Sequence, residues 1–254
     1  MRILITNDDG INAPGLKVLQ DIARELSSDL WVVAPELDQS GAAHSLTLRE
    51  PLRLRAIEER VYAVRGTPAD CVIMGVRHLL KDEPPLLVLS GVNRGSNLAE
   101  DVTYSGTIAG AFEGTLLGVR SIALSLAGGF DGAKNIKWET PLTHGPAIIR
   151  RLLEADWPQG VLMNVNFPDR EPADVVGIAV TEQGRRDHDL LHIDARTDTW
   201  GNAYFWLGYE RRRSNPCEGT DLWAVYTGRI SITPLSLNLT HRAAGETLAR
   251  RLAD

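Results

Sequence analysis

Short apolar runs alternate with amphipathic stretches along the first two thirds of the chain. Apolar runs bounded by polar or glycine residues are typical of buried strands, whereas apolar residues three and four positions apart are typical of helices. This pattern predicts strands over 2–6, 30–34, 52–57, 61–64, 86–89, 121–126 and 161–166. It predicts helices over 15–26, from about 68, over 105–117 and near 142–153.

The alternation of apolar strands with helices predicts the fold class. Strands that are apolar throughout are covered on both faces, as in a mostly parallel, doubly wound α/β sheet. The 254 residues, 43% of them hydrophobic, are enough for one large domain or one domain with an appendage. Ligands of such sheets bind beyond the carboxyl ends of the strands, so polar residues at those ends are the candidates for chemistry.

The pattern changes after Val175, where no clear helical period remains. We interpret this segment as an extended β-rich arm, followed by a strand over 229–233 and a terminal helix near 241–252. The arm gathers seven of the fifteen aromatic residues of the chain: Trp200, Tyr204, Phe205, Trp206, Tyr209, Trp223 and Tyr226. Since such an arm cannot bury these rings alone, we expect a core over 1–180 and an arm over 181–254 that packs against a second subunit.

Charge and hydropathy exclude some classes of function. A net charge of −6 with only short arginine clusters does not favour binding to a nucleic-acid backbone. No apolar run reaches the roughly 18 residues of a membrane span, and the first apolar run is too short for a signal peptide, so we expect a cytoplasmic protein. The two cysteines lack CxxC spacing, which indicates neither a disulfide framework nor a cysteine zinc site.

Two adjacent carboxylates, Asp8 and Asp9, follow the first predicted strand. Carboxylates this close repel each other unless a cation lies between them, and Mg²⁺ prefers oxygen ligands of this kind. The alternative is an aspartate helix cap beside a solvated neighbour.

Further polar residues follow the next strands. Ser40 lies in a polar loop after the second strand and could offer a neutral oxygen to a metal, although Ser-Gly is also ordinary turn chemistry. Asn93 and Asn97 follow the strand over 86–89 and supply amide groups. Ser105, Gly106 and Thr107 open a helix, whose free N–H groups favour an anion such as phosphate. Glycine turns and a serine N-cap remain the plainer interpretation of that segment.

The sequence matches one familiar catalytic motif only in part and lacks three others. His188 and His192 have the spacing of a zinc-protease helix, but they lie in the irregular arm without an obvious third ligand. The sequence contains no GxGxxG, no GxSxG and no GxxxxGK[ST] motif, which removes the usual signals of dinucleotide, serine-hydrolase and P-loop sites.

Taken in order, these segments resemble the SurE family of stationary-phase survival proteins, which act as 5′/3′-nucleotidases. The resemblance covers nearly the whole chain. Its motifs are Ile5-Thr-Asn-Asp-Asp-Gly10, Ala34-Pro35 with Ser40-Gly41 and Ser45-Leu-Thr47, Gly66-Thr-Pro-Ala-Asp-Cys-Val72, Ser90-Gly-Val-Asn-Arg-Gly95 with Asn97-Leu98, Asp101-Val-Thr-Tyr-Ser-Gly-Thr107, Asn164-Val-Asn-Phe-Pro168, Gln183-Gly-Arg185, Gly219-Thr-Asp221 and Ser231-Ile-Thr-Pro-Leu235. Mild departures are Ala69, Ala99 and Glu182, where the family often has threonine, glycine and a basic residue.

The resemblance implies a Rossmann-like core and a metal-dependent phosphomonoesterase that hydrolyses nucleoside monophosphates, with exopolyphosphatase activity as a further expectation. One divalent ion per subunit, Mg²⁺ or Mn²⁺ with Co²⁺ as an option, would be bound by a set of four ligands: Asp8, Asp9, Ser40 and Asn93. Of these, Asp8, Asp9 and Asn93 are the predicted catalytic residues. Asn97 and the turn over 105–107 would lie near the phosphate. The family also implies a dimer or tetramer that exchanges its C-terminal arm.

Water, rather than either carboxylate, is the expected nucleophile. The principal alternative is a non-enzymatic, Mg²⁺-binding receiver-like phospho-switch, in which an acidic pair lies beside a phospho-accepting aspartate. Here the strand over 86–89 ends in Ser90-Gly91 and offers no such carboxylate. A phosphatase of the haloacid-dehalogenase type would need DxD spacing, which is missing because Asp8 and Asp9 are adjacent.

Overall fold

The computed structural model describes residues 1–128, 135–187, 191–209 and 212–253. Most of the strands in this part of the chain form one nine-stranded sheet. They are β1 (Ile3–Thr6), β2 (Leu30–Pro35), β3 (Arg53–Glu58), β4 (Val61–Arg65), β5 (Leu87–Arg94), β6 (Arg120–Leu126), β7 (Val161–Phe167), β8 (Gly177–Val180), β9 (Leu191–Thr197), β10 (Ala203–Tyr209) and β11 (Arg229–Ser236). The helices are α1 (Pro14–Arg24), α2 (Pro68–Met74), α3 (Gly106–Leu116), α4 (Glu139–Glu154), α5 (Asp221–Tyr226) and α6 (Arg242–Leu252).

The sheet has the order β3-β4-β2-β1-β5-β6-β7-β11-β8. The central strands from β4 to β7 run parallel, whereas β3 is antiparallel to β4 and β11 is antiparallel to β7. The mostly parallel α/β sheet predicted from the sequence is therefore confirmed. After β1 the chain builds the sheet in one direction through β2 and β4, and then returns to β5 on the other side of β1. The carboxyl ends of β1 and β5 thus form the topological switch point, where ligands of such folds bind.

Helices cover both faces of the sheet. Alternate residues of β1 divide between the two, with Ile3 and Ile5 in the larger core beneath α1 and α4, and Leu4 in a second core beneath α2. Helix α3 packs beside α2 on this second face. Since side chains alternate along a strand, the side chain of residue 8 is on the same face of the sheet as those of Leu4 and Thr6, the face that α3 covers.

The C-terminal third does not form one continuous arm. Strand β11 lies inside the main sheet and joins β7 to β8, while β9 and β10 pair separately as an antiparallel hairpin. Trp223 and Tyr226, which the sequence placed in an extended segment, lie instead in α5, so that interpretation is wrong. The helix begins at the N-cap Thr220 and is only six residues long, which is too short for a helical period to be visible in the sequence. The proposed division at residue 180 and the exchange of the arm stay predictions.

None of the helices in the described part of the chain is both long enough and apolar enough to cross a membrane.

Candidate active site

Asp8 lies directly beyond β1 and is buried beneath the first turn of α3. Its side chain is only 4% exposed, and its Oδ1 accepts a hydrogen bond from Thr107 Oγ1 at 2.6 Å. Thr107 is in turn fully buried. The predicted metal ligand and the predicted phosphate-binding turn are therefore in direct contact, although 99 residues separate them in the chain.

The close approach of α3 to Asp8 depends on glycine. A Cβ atom on Gly106 would lie 2.7 Å from Asp8 Cβ and 2.9 Å from its Oδ2, distances that real side chains do not tolerate. One turn further along, a Cβ on Gly110 would meet the Ser90 hydroxyl at 2.8 Å. Small residues along one face of α3 thus let its N-terminus lie against the switch point.

Burial makes the charged form of Asp8 unfavourable. Desolvation raises the pKa of Asp8 to about 6; the Thr107 hydrogen bond opposes this shift, and the charge of Asp9 adds to it. A buried acid in this state binds either a proton or a cation.

Asp9 lies against the end of β5, the strand that pairs with β1. The backbone N–H of Arg94, the residue after Asn93, approaches Asp9 Oδ2 at 3.4 Å. Burial also raises the pKa of Asp9, and the hydrogen bond from Arg94 opposes that shift. Asn93 Nδ2 donates to Gly95 O at 2.9 Å, so its Oδ1 is the amide atom that could bind a cation.

The sequence placed Asn93 in a loop after the strand over 86–89, but Asn93 lies inside β5. Strand β5 continues to Arg94, with a shift in its pairing to β6 between Ser90 and Asn93. Irregularities of this kind change the direction of side chains near the end of a strand. They do not alter the pattern of apolar residues, so the sequence does not reveal them.

Ser40 lies in the loop that follows β2. This loop is held to the site by the N–H of Gln39, which donates to the backbone oxygen of Asp8 at 2.8 Å. The N–H of Ser40 itself donates to Asp38 Oδ1 at 2.7 Å. The charge of Asp38 raises the pKa of both Asp8 and Asp9. Asp38 was not among the predicted site residues. Its position two residues before the predicted ligand Ser40 is the feature of the sequence that could have indicated it.

The donors present here fit a hard divalent cation. Within the described ranges, no group of three or more His, Cys, Asp or Glu side chains could bind a metal. A cation at this position would therefore depend on two carboxylates together with neutral hydroxyl and amide oxygens, a set that Mg²⁺ and Mn²⁺ accept. The mutual repulsion of the three aspartates also favours a positive charge between them.

Helix α3 begins as the sequence predicts. Ser105 is its N-cap, and its hydroxyl accepts the N–H of Ile108 at 3.0 Å. The first N–H groups of a helix have no acceptor within the helix, and Gly106 and Thr107 contribute them here. Free N–H groups and the positive end of the helix dipole favour an anion, and here they lie beside Asp8.

Asn97 lies one strand further along the sheet edge, in a cradle of buried polar groups. Its backbone N–H donates to Asn166 Oδ1 at 2.9 Å, and its backbone oxygen accepts from Asn164 Nδ2 at 2.9 Å. Its own Nδ2 donates to Ser125 Oγ on β6 at 2.8 Å. These contacts join Asn97 to β6 and β7 rather than to Asp8. The sequence motif over 164–168 was recognised, but its role as a support for Asn97 was not.

Comparisons with known proteins show the family to which this chain belongs. The model of the family described as "Survival protein SurE" matches residues 3–189. The chain belongs to the SurE family. A protein of Methylobacterium nodulans named 5′-nucleotidase SurE is 65% identical over 240 residues, covering 94% of this chain and 95% of that protein. One of the same name from Parvibaculum lavamentivorans is 60% identical over 248 residues, covering 98% of this chain and 90% of that protein. The crystal structure of the SurE protein from Aquifex aeolicus superposes with a TM-score of 0.86 at 40% identity, and both chains are covered completely.

One departure from the SurE pattern has a structural correlate. Ala99, where the family often has glycine, adopts a left-handed backbone with φ of 52° and is fully buried. Such a conformation costs a residue with a Cβ about 1 kcal/mol, which glycine avoids. The surrounding contacts must therefore hold Ala99 in place.

Of the other sequence candidates, the histidine pair at 188 and 192 lies partly outside the described residues, because His188 is not among them. Ser90, where a receiver-like switch would carry its acceptor aspartate, is fully buried against α3. A SurE chain with this packing offers no phospho-acceptor at that strand end.

Proposed function

We propose that this chain is a divalent-metal-dependent 5′/3′-nucleotidase that hydrolyses nucleoside monophosphates to nucleoside and phosphate. One observation carries the proposal most directly: Asp8 contacts the first turn of α3 through Thr107 Oγ1 at 2.6 Å. A cation bound by the aspartates and a phosphate bound by the helix N-terminus would thus be neighbours. The relatives named 5′-nucleotidase SurE, at about 60% identity, support the same function.

Asp8, Asp9, Ser40 and Asn93 are the proposed metal ligands, with one ion per subunit. A bound Mg²⁺ or Mn²⁺ would supply Lewis acidity at a phosphate oxygen and favour ionisation of water. Because both aspartates would be occupied by the ion, they orient it and are not the nucleophile.

The chain itself binds and orients the phosphate. The N–H groups of Gly106 and Thr107 donate to the equatorial oxygens, where charge is spread during phosphoryl transfer. Asn97 Nδ2 has a second hydrogen atom besides the one donated to Ser125 Oγ, and this N–H would be the further donor to the phosphate. Burial of Thr107 and Asp8 keeps water from competing for these donors.

Replacing Asp9 by asparagine tests the proposal. Asp9 is half-buried, and asparagine keeps its shape while it removes one of the two charges that would bind the ion. We expect phosphate release from a nucleoside monophosphate in Mn²⁺ to fall by a factor on the order of 100 or more, the usual effect of losing an electrostatic catalytic group. The exposed Asp82, at the surface before β5, is the matched control, and Asp82→Asn should keep full activity.

The same assay identifies the substrate and the ion. Nucleoside 5′-monophosphates, nucleoside 3′-monophosphates and a short polyphosphate are compared in Mg²⁺, Mn²⁺, Co²⁺ and chelator. Activity that survives chelation, or full activity of Asp9→Asn, contradicts the proposal. A stable aspartyl phosphate without turnover would instead indicate the receiver-like switch.

A homo-oligomer is part of the proposal. The hairpin of β9 and β10 projects one face on which cross-strand neighbours are apolar, with Leu207 opposite Ile193 and Phe205 opposite Ala195. Leu207 is 76%, Ile193 67% and Phe205 65% exposed. An isolated two-stranded hairpin with an apolar face is not stable in water, so a second subunit would cover it. A cytoplasmic location is likewise proposed, and fractionation of cells that express the tagged chain would test it.

A further inference from the structure

The loop that leads from Asn97 into α3 is held by the C-terminal third of the chain. Its residues Leu98, Ala99 and Asp101 lie between Asn97 and the N-cap Ser105, so their positions decide where the helix begins. A turn of 3₁₀ helix over Ala99–Thr103 occupies most of this loop. The loop is followed directly by the anion site at Gly106 and Thr107.

Asp221 is the buried centre of these contacts. It is fully buried, and its Oδ2 accepts the N–H of Ala99 at 2.8 Å. Its Oδ1 accepts the N–H of Gly184 at 2.9 Å and that of Leu222 at 2.7 Å. One carboxylate thus joins the loop, the segment after β8 and the start of α5.

Two further side chains complete the attachment. Gln183 Nε2 donates to Ala99 O at 2.9 Å, so both peptide groups of the strained residue Ala99 are bound. Arg186 donates to Leu98 O at 3.1 Å and to Asp101 Oδ2 at 2.6 Å. We call Gln183, Arg186 and Asp221 the loop clamp.

We propose that Asp221, with Gln183 and Arg186, is a positioning residue that fixes the loop over 97–105 and thereby aims the first N–H groups of α3 at the phosphate. The inference rests on the proposed function of the site. It assigns Asp221 no contact with substrate or metal. A buried carboxylate that accepts three backbone N–H groups loses one of them on amidation, because an amide offers a donor where an acceptor is needed.

This role explains why the strained conformation of Ala99 persists. A left-handed residue with a Cβ is kept only where its surroundings determine its conformation, and here both of its peptide groups are bound by the loop clamp. Without these bonds the loop would relax, and the N-terminus of α3 would lose its fixed relation to Asp8.

Asp221→Asn in the full-length protein tests the inference. We expect kcat for a nucleoside monophosphate to fall by a factor on the order of ten, with KM changed less than about three-fold, because misaimed donors weaken transition-state binding more than ground-state binding. The affinity for Mn²⁺ alone, measured by titration calorimetry, should stay within about two-fold, since Asp8 and Asp9 lie on a different loop. A merely structural role would not separate these quantities.

If Asp221→Asn folds poorly, a second variant can test the same inference. Gln183→Met preserves length but removes only the bond to Ala99 O, and we expect a fall in kcat of about three-fold with the same unchanged Mn²⁺ affinity.

Thr220→Ala is the matched control. Thr220 is the N-cap of α5 and accepts the N–H of Trp223, so its loss weakens the same helix without touching the loop. It should lower the unfolding midpoint and leave kcat within about two-fold.

The outcomes separate the two proposals. If the unchanged protein releases no phosphate from nucleotides, the proposed function fails. If it is active and Asp221→Asn is equally active, or loses Mn²⁺ affinity in step with kcat, the positioning role alone is overturned. A loss of kcat in Thr220→Ala equal to that in Asp221→Asn would overturn it as well.

Discussion

Asp8 is held in a position where its charge opposes folding. It is only 4% exposed, and burial raises its pKa from 3.8 to about 6. The folded protein therefore binds a proton at Asp8 more tightly than the unfolded chain does. Stability from this group is fully present below about pH 4 and is lost as the pH rises towards 6.

Asp8→Asn should consequently stabilise the metal-free protein. With chelator at pH 8 we expect the free energy of unfolding to rise by about 1–3 kcal/mol, because the amide can still accept the Thr107 hydrogen bond without burying a charge. At pH 4 the gain should vanish. Urea unfolding at both pH values measures it, and the exposed Asp82→Asn should shift neither curve by more than about 0.5 kcal/mol.

A lower stability of Asp8→Asn at pH 8, or a difference that does not depend on pH, would show that Asp8 carries no unfavourable charge in the folded protein. If the predicted gain is found, nucleotide hydrolysis should be lost in the same variant. The aspartate would then be present for function at a cost in stability.

The sequence indicated some residues of the candidate site and not others. Asp8, Asp9, Ser105 and Thr107 were visible because each lies at the end or start of an element that the local pattern predicts. Asp221 and Asn166 match family motifs, but their partners lie 122 and 69 residues away. Which strand end meets which loop depends on the order of the sheet, and no local pattern encodes that order.

Helix α3 joins the two halves of the site, and its packing against the sheet is an element-scale property. Gly106 is the position where the helix passes Asp8, with room for a hydrogen atom only. Because alanine is a better helix former than glycine, any loss on substitution comes from the contact and not from helix propensity.

Gly106→Ala should therefore move α3 away from the switch point. We expect kcat/KM for a nucleoside monophosphate to fall by a factor on the order of ten to a hundred, since small displacements of catalytic groups have large effects on rate. The overpacked contact should also cost about 1–3 kcal/mol in unfolding free energy.

Gly245→Ala in α6 is the control for this substitution. A Cβ there meets no atom within 4 Å, so the exposed helix should gain up to about 1 kcal/mol and activity should not change. Wild-type activity in Gly106→Ala would mean that the contact with Asp8 adjusts without consequence.

Most elements were predictable because their buried apolar residues recur with the period of a strand or a helix. Strand β1 and helix α3 begin and end within one residue of their predicted bounds. Two elements were not predictable. The six-residue α5 is shorter than two helical turns, and the extension of β5 to Arg94 rests on a shift in its pairing with β6.

At the scale of the whole molecule, the apolar face of the β9–β10 hairpin gives the proposed oligomer a direct test. Phe205→Asp combined with Leu207→Asp places two charges on this face, and burying them in an interface would cost several kcal/mol. We expect the mass measured by light scattering to fall to that of a monomer. Leu86→Asp, at an isolated surface leucine that is 64% exposed, should leave the mass unchanged.

A monomeric mass for the unchanged protein, or an intact oligomer in the double variant, would remove the hairpin from the interface. Retention of the native circular-dichroism spectrum shows that the substitutions acted on assembly and not on the fold.

Strand β11 also sets the order in which the molecule can be assembled. It is the strand that connects β8 to the rest of the sheet, and it pairs with β7 from Ser231 opposite Asn166 to Ser236 opposite Val161. During synthesis, one edge of β7 has no partner strand until residues 229–236 have left the ribosome. A nascent chain stopped before that point would present an unpaired apolar strand edge, the kind of surface that chaperones bind and that promotes aggregation.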